Sequence, residues 1–155
     1  MSKFKITSFL ILIIFFLNNC GFTPQYAGYK EIDFSLNINK VTGDRDLNNA
    51  IKSQLNRYQS EKQNLKKIYV NIESKFSKDV LSKSSKGKAT KYNLIANVKF
   101  SLDTDNASRT IVYVEEFKID SIEDNVEENN YIRIIKKNFA EIISEKLILN
   151  INQYK

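Results

Sequence analysis

The 155-residue sequence contains no histidine and no tryptophan, and only one cysteine, one proline and four glycines. Each scarcity excludes something. Without histidine and with a single thiol, the usual zinc sites, Ser-His-Asp and Cys-His pairs and iron–sulfur ligation cannot be assembled from this chain. Carboxylate-only chemistry needs two positioned acids. Here the Asp and Glu residues are scattered over polar faces, and no nucleophile with its base can be named, so the chain is expected not to be an enzyme and to need no metal or cofactor. The lone cysteine, Cys20, also forbids an intramolecular disulfide. Few prolines and glycines, with 42% hydrophobic and 27% charged residues, argue for an ordered fold rather than a disordered or fibrous chain.

What is present begins with the first twenty residues. Lys3 and Lys5 precede an unbroken apolar run, Phe9 to Leu17 (FLILIIFFL), which ends at Asn18, Asn19 and Cys20. This is the layout of a signal segment. Nine helical residues cover only about half of a roughly 30 Å hydrocarbon core, so cleavage fits better than a permanent span. A cysteine directly after the run resembles the lipobox of bacterial lipoproteins, whose sulfur receives diacylglycerol before the peptidase cuts on its N-terminal side. Leu17 matches that pattern, whereas Asn18 and Asn19 stand where small residues are usual. The alternative is an ordinary secretory leader or uncleaved anchor in which Cys20 has no special role. The division expected is a signal peptide over 1–19, a lipidated tether over 20–30 that includes GFTPQYAGYK, and one domain over 31–155.

Cations exceed anions by six, and by four once a leader carrying Lys3 and Lys5 is removed. Such a surface can attract nucleic acid, anionic lipid or acidic glycan. Export, and the lack of a Lys/Arg stripe interleaved with aromatics, argue against nucleic acid.

Periodicity supplies the fold. Glu31 to Asn39 alternates, with Ile32, Phe34, Leu36 and Ile38 on one side, as a half-buried strand does. Asp44 or Asp46 can cap a helix whose Leu47, Ala50, Ile51, Leu55 and Tyr58 recur at three- and four-residue spacing. Lys67 to Val80 is a second strand, with Ile68, Val70, Ile72, Phe76 and Val80 inward. The polar segment Ser82 to Thr90 (SKSSKGKAT) reads as a hairpin connection, with Lys83, Lys86, Lys88 and nearby Lys91 forming a basic tip. Tyr92, Leu94, Ala96, Val98, Phe100 and Leu102 mark a third strand, broken by the turn formers Asp103 to Ser108. Arg109 to Asp120 makes a fourth, with Ile111, Tyr113, Phe117 and Ile119 on its inner face and Val112 and Val114 on the other. An acidic stretch, Glu123 to Glu128, precedes a long helix whose Ile132, Ile135, Phe139, Ile142, Ile143, Leu147 and Ile151 are read as core. Tyr69, Tyr113 and Tyr131 are amphipathic aromatics of the kind that anchors interfaces, but most such residues in strands and helix starts are simply packed, and no role is assigned to them. The order β-α-β-β-β-α predicts an α+β two-layer sandwich: a four-stranded mixed sheet with two helices on one face, its first strand–helix–strand unit crossing over right-handedly if those strands are parallel and its last three strands an antiparallel meander.

The string CGFTPQY at Cys20 to Tyr26, followed by this order of elements, resembles LptE, the lipopolysaccharide-assembly lipoprotein family of Gram-negative bacteria, in its alphaproteobacterial form. The resemblance implies an outer-membrane lipoprotein that plugs the β-barrel of an LptD-like translocon, aids its assembly and can bind lipopolysaccharide. Lys83, Lys86, Lys88 and Lys91 would then meet phosphates and carboxylates of lipid A and the inner core as flexible point charges; otherwise they simply keep a turn solvated. An independent periplasmic binding lipoprotein for lipid or glycan, and a structural lipoprotein of another envelope machine, share the same anchor and remain alternatives.

Overall fold

Alternation over residues 66–83 and 89–104 is long enough to specify two extended strands, and these form the centre of the computed structural model, which describes residues 33–62, 64–104 and 107–153. The leader, Cys20 and the tether lie outside the described residues. The elements in order are β1 (Phe34–Gly43), α1 (Arg45–Leu55), a short 3-10 turn (Asn56–Tyr58), β2 (Lys66–Lys83), β3 (Ala89–Thr104), β4 (Ala107–Asp120) and α2 (Asn125–Gln153). The sheet order is β1-β2-β3-β4. β1 runs parallel to β2, while β2, β3 and β4 form an antiparallel meander. The expected two-layer α+β architecture is the one observed.

Glu31 and Ile32 of the expected first strand lie outside the described residues; at its other end the strand runs past Asn39, because a bulge between Ile38 and Lys40 inserts one residue and lets pairing continue to Gly43. Gly43 then turns the chain out of the sheet at φ +103°, and a Cβ there would sit 1.7 Å from the Ser74 carbonyl oxygen. Only glycine fits both the dihedral and the space. Asp44 follows as the N-cap of α1, its Oδ1 accepting from the Leu47 N–H at 2.9 Å. Leu47, Ile51 and Leu55 are spaced by four and fully buried. The helix stops there instead of carrying Tyr58 on its stripe. Tyr58 stacks on Phe34, with centroids 6.4 Å apart. The returning chain is fastened to β1 by Ser35, whose hydroxyl donates to the Ser60 carbonyl at 2.7 Å and accepts from the Ser60 N–H at 2.9 Å. That pair of bonds accounts for a serine with no exposed surface.

The core lies between the helices and one face of the sheet. Val70, Ile72, Val98 and Phe100 are buried there, whereas Glu73, Lys75, Asn97 and Lys99, their alternates, face outward and are exposed. Each fully buried side chain of this kind contributes about 1.5–3 kcal/mol relative to exposure.

α2 is capped by Asp124, whose Oδ1 accepts from the N–H groups of Val126 (2.7 Å) and Glu127 (2.9 Å). The acidic stretch therefore does not simply precede the helix. Glu127 and Glu128 occupy its first turn, where the dipole favours them. The helix runs obliquely over the sheet, from β2, where Glu128 pairs with Lys78 at 2.6 Å, to β4, where the Tyr113 hydroxyl donates to the Lys146 carbonyl at 3.1 Å. Its buried stripe is Ile135, Phe139, Ala140, Ile143, Leu147, Ile148 and Ile151. Ile142 is not core as expected; it is exposed, as are Ile134 and Leu149. At 100° per residue the 135/139/143/147/151 row fixes which side faces the sheet, and Ile142 lies about 100° off that row, toward solvent. Phe117 is likewise exposed although it points to the helical side, and Val112 and Val114 are exposed on the open face. No helix among the described residues is long and apolar enough to cross a membrane.

Candidate functional site

The β2–β3 hairpin extends beyond the end of β1, with β4 still paired to β3. β1 pairs with β2 only from Lys66 to Ser74, so Lys75–Lys83 continues without a β1 partner. Two features hold this extension in shape. Leu81 in β2 and Thr90 in β3 are each skipped in the pairing (Val80↔Tyr92, Ser82↔Lys91, Lys83↔Ala89), so one bulge offsets the other and register returns before the turn. Between them the Ser82 and Thr90 hydroxyls lie 2.7 Å apart in a hydrogen bond. The turn itself closes through Ser84 N–H to Lys88 O (2.8 Å) and Gly87 N–H to Ser84 O (2.9 Å), with Gly87 at φ +80°. Below it, Lys78 bridges the hairpin to α2 through Glu128 and sits 3.9 Å from the Tyr92 ring centroid.

All four sequence-predicted lysines fall on this tip and all are exposed. They are not equivalent. Lys88 lies 3.5 Å from Glu123 and Lys91 3.6 Å from Asp120, surface pairs worth roughly 0–1 kcal/mol that nonetheless dilute the positive field. Lys83 and Lys86 enter no ion pair among the described residues and are the more available cations. The structure also adds what the lysine pattern did not show: Val80, Leu81 and Phe117 are exposed around the same end. Cations above exposed apolar side chains can meet an amphiphile with an anionic head and hydrocarbon tails.

Two other concavities exist. A cleft of about 390 Å³ is lined by Phe34, Ile68, Leu102 and Ile151 with Lys66 and Arg109. A groove of about 580 Å³ between α1 and α2 is lined chiefly by polar groups, including Asp46, Arg133, Lys137 and Glu141. Among the described residues no cluster of Cys, Asp and Glu could hold a metal ion. Among the described residues two side chains are shifted from their ordinary titration range. Glu73 is held lower by its hydrogen bond and charge attraction to Lys99, and Tyr113 is pushed up by burial. Neither adjoins a nucleophile, and Tyr113 is engaged with the Lys146 carbonyl and edge-on to Phe100. Tyr69 lies exposed on the open sheet face and Tyr131 exposed on α2.

Oblique helix, parallel first pair and long central hairpin together define a fold that can be compared with known ones. The fold resembles that of rare lipoprotein B. The crystal structure of that protein from Shewanella oneidensis superimposes with a TM-score of 0.57 at 10% identity, covering 74% of this chain and 95% of that one. A candidate lipoprotein of Caulobacter crescentus superimposes with a TM-score of 0.50 at 13% identity, covering 77% of this chain and 88% of that one. No family model matches the sequence. No curated protein matches it either.

Proposed function

We propose that this chain is a non-catalytic outer-membrane lipoprotein, anchored through lipid on Cys20, that serves lipopolysaccharide assembly as the plug and assembly subunit of an LptD-like barrel. The observation that carries the reading is a domain with the fold seen in rare lipoprotein B placed directly behind a leader ending in Cys20 and the string CGFTPQY. Physical features support it. The open sheet face is mostly polar, with Glu73, Asn97 and Lys99 exposed, as a body inside a water-filled lumen requires, yet it carries exposed Val112 and Val114 that a barrel wall would cover. The hairpin tip presents Lys83 and Lys86 beside exposed Val80 and Leu81, a combination complementary to an anionic lipid A headgroup over acyl chains.

Affinity capture of the tagged full-length protein from detergent-solubilised membranes tests the partner: a co-purifying outer-membrane barrel of LptD size is expected, and recovery of the chain alone rejects the plug. That second outcome favours an independent binding lipoprotein, for which the apolar 390 Å³ cleft, near the lower end of the roughly 300–1,000 Å³ of ligand sites, is the available pocket. Metabolic labelling with palmitate, with and without Cys20→Ser, tests the anchor; an unlabelled wild type rejects it.

A further inference from the structure

At the end of the sandwich opposite the hairpin tip, the inward pattern of the sheet breaks. Strand pairing sets Lys66 beside Phe34 and Arg109 beside Leu102. Alternation then puts both cations on the helix-facing side, Lys66 in the row of Ile68, Val70 and Ile72 and Arg109 in the row of Ile111 and Tyr113. Positions of that parity are apolar further along each strand, and a charge at a core-facing position is a fault in the pattern unless it has a use.

Both cations line the cleft of about 390 Å³. Its apolar surface comes from Phe34, Ile68 and Leu102 of the sheet and Ile151 in the last turn of α2, none more than 9% exposed. Asp33 is the one acid among the described lining residues, so two cations against it leave a net charge of +1. Lys66 and Arg109 are themselves exposed, and long stems with wetted heads would explain either of them alone. Two at inward positions on one apolar cleft form a combined signal: hydrocarbon inside, negative charge at the mouth.

We propose that this cleft binds an anionic amphiphile with a single hydrocarbon chain. The chain lies against Phe34, Ile68, Leu102 and Ile151, and a carboxylate or phosphate head is held by Lys66 and Arg109. Arg109 can take such a head through two parallel N–H donors, and Lys66 meets it as a point charge. The volume is near the lower end of the roughly 300–1,000 Å³ of ligand sites, which suits one chain and not a cluster of them. Affinity therefore rises with chain length until the cleft is filled. The site shares no residue with the hairpin tip and rests on neither the plug nor the anchor.

Photo-cross-linking of the full-length protein in a maltoside detergent tests this, with a sixteen-carbon fatty acid carrying a diazirine at its chain end as the probe. Saturable labelling is expected in peptides from the starts of β1 and β2, the end of β3 and the last turn of α2. Unmodified palmitate should displace the probe, an eight-carbon acid should do so more weakly, and hexadecanol, which has the chain without the anion, should fail at matched concentration. Displacement by a palmitoyl lysophosphatidic acid as well assigns the site to any anionic head, whereas displacement by palmitate alone narrows it to a carboxylate. Lys66→Gln with Arg109→Gln should raise the half-saturating concentration about tenfold, and Ala107→Trp, at an exposed lining position, should obstruct the cleft, both with native circular dichroism. Labelling that does not saturate or that maps elsewhere, displacement by hexadecanol equal to that by palmitate, or an unchanged half-saturation in either variant overturns the inference. None of these readouts depends on whether a barrel is captured.

Discussion

Asp44 does two things at once, and separating them gives the sharpest test of the physical account. Its Oδ1 caps α1, and both its oxygens accept from Lys136 Nζ of α2, at 3.0 and 2.8 Å. The ammonium also lies 4.5 Å from the Phe76 ring centroid and 3.7 Å from Asp46. Removing one partner of a fully buried pair costs about 3–5 kcal/mol. Here the Lys136 side chain is 11% exposed and that of Asp44 23%, and Asp46 remains as a second anion, so about half that cost is expected, roughly 2 kcal/mol. Asp44→Asn keeps an acceptor at the cap and loses only the charge, and should lower stability by about 2 kcal/mol. Asp44→Ala also loses the cap and should cost about 3 kcal/mol. Lys136→Met leaves a partly hydrated carboxylate that still accepts from Leu47, and should cost about 1–2 kcal/mol. Because neither charge is stranded in Asp44→Asn with Lys136→Met, the double variant should cost little more than the worse single one, a coupling of about 1–2 kcal/mol. Urea unfolding followed by circular dichroism measures all four. An additive cycle, within about 0.5 kcal/mol, would refute the ion pair as a link between the helices.

Other expectations follow from single features. Gly43→Ala should be far more damaging than Gly87→Ala, by more than about 2 kcal/mol in the same unfolding assay, because both have positive φ but only Gly43 meets backbone at 1.7 Å while Gly87 faces open space. Ser144→Ala should be neutral or stabilising, since the buried Ser144 hydroxyl has no hydrogen-bond partner among the described residues. Tyr113 has a raised pKa through burial, so the neutral phenol is favoured in the folded state. Its contribution is complete below the unfolded value near 10 and is lost as pH rises through the folded value; thermal midpoints should fall on that alkaline limb, and less so in Tyr113→Phe. For the tip, replacing Lys83 and Lys86 by Gln should weaken lipopolysaccharide binding and its salt dependence more than replacing Lys88 and Lys91, whose charges are partly offset by Glu123 and Asp120. Unchanged binding at low salt after all four substitutions rejects the site.

What the sequence made legible was whatever repeats. Period two over β2 and β3 placed the central hairpin, and an Asp before an apolar helical pattern placed α1 and its cap, because both signals are local. The errors lie where a second element decides. Ile142 fits a helical stripe as well as Ile143 does, since α2 carries apolar residues all round, and only the sheet beneath settles which row is buried. Lys88 and Glu123 are 35 positions apart, and their approach depends on two cross-strand registers, one of them reset by the bulges at Leu81 and Thr90. Lys136 sits in the buried row of α2 and would read as a solvated lysine anywhere in a sequence; its partner is 92 positions away. The lipidation proposed for Cys20 is the reverse case: it rests wholly on the neighbouring residues and on nothing in the fold.

The basic tip has a structural cause apart from its lysines. β2 has 18 residues and β1 only 10, so the sheet is wide at one end and narrows to a hairpin with β4 alone beside it at the other. An unpaired strand edge of this length invites pairing with another chain, and lysines are a usual defence. Lys75, Lys78 and Lys83 lie along this stretch of β2, and Lys78 is further committed to Glu128. Solubility of the edge accounts for these three without any ligand. It does not account for Lys86 in the turn, which borders no unpaired edge, nor for Val80 and Leu81, which an edge defence would replace by polar residues. Apolar side chains exposed beside Lys86 are the part of the tip that the proposed amphiphile would account for, and it is there that the proposed binding should be most sensitive to substitution.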